Sequence, residues 1–201
     1  MASFKRLGGM TSSGVQNADV LIVPDGQLKK TAKFVLAVIL GNMVVTEQWL
    51  IEAYMIGMFP DTNDYIPQDD VREKEWNFNL RDALARGRAP LSVTARLLDR
   101  YHVYISPQLQ TTLGENYMDF TEIVFAMGAL GVTAGIPNKE SKVDTSIVLG
   151  EVGDAITNLT YKLGHHLYNR DLLVISALRG RIDLDSEEFT IEIAIKNEES
   201  D

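Results

Sequence analysis

Three lysines, Lys29, Lys30 and Lys33, stand just ahead of an apolar run, Phe34 to Leu40, that ends at Gly41. Thr31 lies among them. If the run is a helix, its first turn carries free backbone N–H groups and several ammonium groups at one point. That combination suits a phosphate or a carboxylate. A cation at a helix N-terminus opposes the macrodipole by about 0.3–1 kcal/mol. A cluster there is either a solvated helix end or a seat for an anion, and the residues alone leave both readings open.

Other chemistry finds less support. His165 and His166 are adjacent, so in a strand they face opposite sides and cannot hold one metal from one face. No metal site is expected. Ser106-Pro107 reads as a strand end. No Ser/His/Asp or paired-carboxylate constellation has supporting context, and the glycines form no phosphate loop. No catalytic residue and no cofactor is expected. The chain contains no Cys, which excludes a disulfide framework and a thiolate metal site.

Charge and hydropathy narrow the partners. The net charge is −9 over 201 residues, with a pI of about 4.8. Broad duplex binding needs an excess of Lys and Arg along a face, so direct nucleic-acid binding is not expected. A basic spot on an acidic body favours a small anionic epitope. No apolar run approaches the roughly 20 residues that span a bilayer, and MASFKRLGG has no signal-peptide core, so no membrane partner is expected.

The elements that must position the lysines follow from periodicity and punctuation. Phe4 to Leu7 reads as a last helical turn closed by Gly8 and Gly9, and Ala18 to Val23 as a buried strand before a Pro24-Asp25-Gly26 turn. Phe34 to Leu40 suits strand or helix by pattern alone. Ala32, Leu36 and Leu40 share one row and Gly41 sits at a C′ position, so we read a helix. Met43 to Val45 is a short strand. Thr46 then opens a helix with Trp49 in the core, closed by Gly57.

Residues 68–95 are rich in charge and read as a linker that contains a helix. Trp76, Leu80 and Leu84 recur every four residues, and Asn79 can cap with Asp82 at N3. Trp76, Phe78, Leu80 and Leu84 are expected to pack at the junction of two domains. The second half then repeats the first. It has a strand from Leu97 to Ser106, a helix with Phe120, Ile123, Val124 and Met127 on one face, strands over Val132 to Ile136 and Ser146 to Leu149, and a helix over Asp154 to Leu163. A short strand, His165 to Leu167, and a helix ending at Gly180 complete it. The predicted division is repeat 1 over residues 1–67, the linker over 68–95, repeat 2 over 96–195 and an acidic tail over 196–201. The first repeat lacks a counterpart to the strand that opens the second.

This order, with FKRLGG, ADVLIV, KKTAKF and VVTEQWL in register, resembles the BRCT domain, and the whole chain resembles a tandem BRCT pair. The linker, DDVREKEWNFNLRDALARGR followed by YHVYISP, is similar to the segment that joins such repeats. The resemblance implies an α/β fold with a small parallel four-stranded sheet per repeat, flanked by helices, the first repeat lacking its opening strand. It implies phosphopeptide recognition, with Lys33 and Thr31 at the phosphate and Lys30 at the peptide main chain or its terminal carboxylate. Lys30 stands where relatives usually carry Arg, which keeps the charge but loses the bidentate fork. The hydroxyl and glycine that such pairs carry after the opening strand have no counterpart here.

The function implied is that of a nuclear DNA-damage response scaffold reading a phosphorylated Ser-Gln-type tail, such as gamma-phosphorylated histone, and meeting other damage-response proteins. The alternative is a scaffold pair that binds an unmodified partner or itself. An enzyme is disfavoured, because no nucleophile, base or metal set converges.

Overall fold

The computed structural model describes residues 2–90 and 92–192. The expected tail 196–201 and the last three residues of the expected second repeat lie outside them. The chain divides into two compact units, Met1–Leu97 with Val174–Ile182, and Leu98–Leu173 with Asp183–Asp201. The linker residues belong to the first.

Unit 1 begins with α1 (Ala2–Arg6) and β1 (Val20–Val23), then α2 (Ala32–Leu40), β2 (Met43–Thr46) and α3 (Glu47–Ile56). β1 and β2 pair in parallel, Val20 opposite Met43 and Val23 opposite Thr46. The connection between them is α2, as parallel pairing requires a crossover. The ambiguous apolar run is thus helical. Phe34 to Ile39 are all buried, and a helix apolar on every side belongs in a core. Gly41 closes it at φ 72°, its N–H donating to the carbonyls of Ala37 and Val38.

The unit 1 sheet has two strands among the described residues, one fewer than the three that the resemblance implies for a repeat without its opening strand. The segment ahead of β1 makes local bonds instead. The Ser12 hydroxyl donates to the Gly14 carbonyl at 2.8 Å and accepts from its amide at 3.2 Å. Asn42 donates through Nδ2 to the carbonyls of Val15 and Ala18. Such side-chain bonds compete with a ladder. Helix α3 buries only Trp49 and Ala53. Trp49 stacks on Phe59 at 5.0 Å and donates through Nε1 to the Pro60 carbonyl.

The linker is two helices, α4 (Asp70–Trp76) and α5 (Leu80–Arg88), where one was read. Asn77 breaks the chain between them in the left-handed conformation, φ 50°. The Asn79 side chain accepts from the Asp82 amide at 3.0 Å, and the Glu73 carboxylate takes the Leu80 amide at 2.7 Å. Trp76, Leu80 and Leu84 are buried and Phe78 is half-buried. All four lie in unit 1. A β-carbon on Gly87 would lie 2.2 Å from the Val38 carbonyl oxygen, and one on Gly41 2.5 Å from the Arg88 amide. The backbones of α2 and α5 therefore touch at two glycines.

Unit 2 contains β3 (His102–Ile105), α6 (Pro107–Leu113), α7 (Tyr117–Ala126), β4 (Gly131–Ala134), β5 (Ser146–Leu149), α8 (Thr157–Lys162), β6 (Leu167–Tyr168) and the start of α9 (Asp171–Arg179). Its four strands run in parallel in the order β4-β3-β5-β6. α6 was not foreseen, and the strand read as Leu97 to Ser106 is shorter. The remainder of α9 lies in unit 1, where Arg179 donates through Nε to the Trp76 carbonyl at 2.8 Å and Arg86 donates to the Leu178 carbonyl at 2.6 Å.

Candidate anion-binding site

The start of α2 is built from four successive facts of sequence. Thr31 is the N-cap, its Oγ1 accepting from the Phe34 amide at 3.3 Å. The Thr31 carbonyl takes the Val35 amide at 3.0 Å. The amides of Ala32 and Lys33 meet no acceptor among the described residues. Lys29, Lys30 and Lys33 are all exposed, so their charge stays in reach of solvent and solutes. Two unpaired donors, the positive end of a nine-residue helix and nearby ammonium groups thus share one end of α2.

The linker shapes the approach to this end. The Lys30 ammonium lies over the Trp76 ring, 5.8 Å from its centroid. Arg72 lies 5.9 Å from the same centroid and forms an ion pair with Glu75. Phe78 stacks against Trp76 at 5.9 Å. Ahead of the lysines, Leu28 donates its amide to the buried carboxylate of Asp69 at 2.9 Å.

Unit 2 treats the same topological place differently. There the strand-to-helix connection between β5 and α8 carries Glu151 and Asp154, where unit 1 has lysines. Ser106, fully buried, caps α6 by accepting from the Leu109 amide at 3.1 Å, and its hydroxyl donates to the carboxylate of Asp154. Asp154 also accepts from the Ile156 amide at 3.2 Å. A carboxylate of the chain itself thus stands at this connection, where it would repel an external anion. Elsewhere in unit 2, His165 is buried with neither ring nitrogen hydrogen-bonded among the described residues, and burial lowers its pKa. No group of three or more His, Asp and Glu side chains that could hold a metal occurs among the described residues.

No protein-family model matches the chain. Individual proteins do. Mediator of DNA damage checkpoint protein 1 of Rattus norvegicus is 34% identical over 104 residues, 52% of this chain and 8% of that protein. DNA damage response protein Mdb1 of Schizosaccharomyces pombe is 28% identical over 195 residues, 96% of this chain and 29% of that protein. The chain therefore spans less than a third of either relative. Among solved structures, the BRCT5-BRCT6 domains of S. pombe Brc1 superpose with a TM-score of 0.71 at 24% identity, covering 90% of this chain and 87% of that one. The fold is that of a tandem BRCT pair. The complex structure of Rtt107p and phosphorylated histone H2A matches with a TM-score of 0.65 at 9% identity, over 94% of this chain and 83% of that one.

Within this fold, Thr31, Lys33 and Lys30 come together at one helix end, and Lys30 reaches the linker's Trp76. Trp49 is buried away from them against Phe59 and Pro60. The residue that sequence reasoning missed is Asp69. Its signal was slight: one carboxylate in an acidic run, bonded to an amide 41 residues earlier in the chain.

Proposed function

We propose that the BRCT pair binds a phosphorylated protein tail as part of a nuclear DNA-damage response scaffold, acting by recognition rather than catalysis. The observation that carries this reading is the capped, lysine-bearing start of α2, with two amides unpaired, set against the acid-bearing counterpart in unit 2. The Rtt107p–phosphorylated H2A complex supports the same choice of ligand, because that protein shares the fold. In this reading Lys33 and the N–H groups of the first turn face the phosphate, with Thr31 holding the turn. Lys30 faces the peptide main chain or its terminal carboxylate. Trp76, Phe78, Leu80 and Leu84 serve packing, without touching peptide. Other damage-response proteins are further partners.

The test is a titration with paired peptides ending in phosphoserine-Gln-Glu and in its unphosphorylated form. Wild type should prefer the phosphorylated peptide strongly. Lys33→Glu should abolish that preference and leave the thermal midpoint unchanged or slightly raised, since it relieves a charge–dipole conflict. Lys30→Ala should weaken binding less, and mostly for peptides with a free carboxylate. Equal binding of both peptides by wild type, or an unimpaired Lys33→Glu, overturns the reading.

One observation favours a scaffold that ignores phosphate. Helix α3 and the segment that follows it expose Ile51, Tyr54, Met55 and Met58, an apolar face that suits an unmodified protein partner. In that case wild type captures its partner equally well after phosphatase treatment.

A further inference from the structure

We propose that Asp69 is a positioning residue for the lysine arm, so that the linker is part of the binding apparatus. This rests on the phosphopeptide reading above. The arm runs from the end of β1 at Val23 to the cap Thr31. On its own it is a mostly polar, exposed connection, and an exposed loop bearing two ammonium groups, with a third just inside the helix, should splay. It is instead tied to the linker by a reciprocal exchange. Asp25 accepts the Gln68 amide at 3.0 Å. Asp69 returns the bond, one carboxylate oxygen taking the Leu28 amide at 2.9 Å and the other the Arg72 amide at 3.1 Å. Both Asp69 and Leu28 are buried, at 7% and 3% exposure. The same aspartate is thus the N-cap of α4 and an anchor of the arm. Two residues beyond Leu28, Lys30 meets Trp76 on the same α4.

Electrostatics and positioning make opposite demands here. A carboxylate bonded to the lysine arm lowers the positive potential an anion would meet, so charge alone says its removal tightens binding. Positioning says the reverse. Asn at 69 has one acceptor oxygen and an NH2 group, so it cannot accept from both amides; one of the two is left facing a donor. The arm then loses its anchor, and the ordering that Asp69 maintains in the free protein has to be recovered on binding.

The experiment compares wild type, Asp69→Asn and Asp70→Asn, the last removing an equal charge at an exposed neighbour. Two quantities are read: affinity for the phosphoserine-Gln-Glu peptide and amide exchange across Leu28 to Lys33. Asp69→Asn should weaken the peptide about tenfold or more and speed exchange at Leu28, while leaving exchange in β5 untouched. Asp70→Asn should bind as wild type or slightly tighter. Equal or tighter binding by Asp69→Asn overturns the proposal, and so does weaker binding with the Leu28 amide still protected. If wild type shows no preference for phosphate, the functional reading falls. The exchange at Leu28 then still decides whether Asp69 anchors the arm.

Discussion

His165 is the residue whose environment makes the plainest demand on solution conditions. It is 2% exposed and neither ring nitrogen has a partner, so the folded protein holds it neutral and its pKa falls below the ordinary value. Unfolded, it takes up a proton near pH 6.5. The unfolded state thus binds more protons below that pH, and the contribution of His165 to stability is complete above about 6.5 and declines as pH falls, by up to about 1.4 kcal/mol per unit. Thermal melts from pH 8 to about 5 should show wild type losing more stability than His165→Leu; parallel curves would refute this. At this scale the sequence was readable where a residue acts locally. The lysines as one cluster at the start of a helix follow from neighbours within four positions. Asp69 and the Lys30–Trp76 stack do not, because each joins residues more than 40 positions apart.

Elements were legible in proportion to their apolar content. Helix α2, apolar on all sides, is stopped where the glycine said it would be. Helices α4 and α6 escaped notice because their stripes are thin: α4 buries Trp76 alone, and α6 only Leu109 and Leu113. The stripe Trp76, Leu80, Leu84 was real as burial but spans two helices, since Asn77 turns the chain between them. Gly87 carried no visible message in a charged helix, yet it lies against the end of α2. Gly87→Ala would place a methyl group 2.2 Å from the Val38 carbonyl oxygen, so α5 must retreat. Overpacking of this kind costs about 1–3 kcal/mol. Denaturant unfolding should report that loss, and a cost below about 0.5 kcal/mol, the usual surface value, would mean the helices do not meet there.

At the scale of the molecule, a duplicated order of elements was visible in the chain, and both units keep the parallel strand–helix–strand theme. They differ in completeness. β5 has a strand on each side, whereas β1 pairs with β2 alone. The strand count of unit 1 was misjudged because the Gly- and Ser-rich residues before β1 satisfy their own polar groups. A strand with one neighbour leaves half its ladder open to water. Hydrogen exchange at Val20 to Val23 should therefore run well ahead of that at Ser146 to Leu149. Comparable slow exchange in both strands would contradict the two-stranded sheet.

The bond from Ser106 to Asp154 also sets how the molecule counts. Two related halves could have offered two seats, and a protein with two seats can bridge neighbouring marks and bind a crowded array far more tightly than a sparse one. Here one half carries a carboxylate at its own position. On the proposed reading this pair of repeats is monovalent, one pair to one mark. Occupancy of the pair by itself then tracks the number of marks rather than their spacing, and any preference for dense clusters has to come from joining it to further binding units.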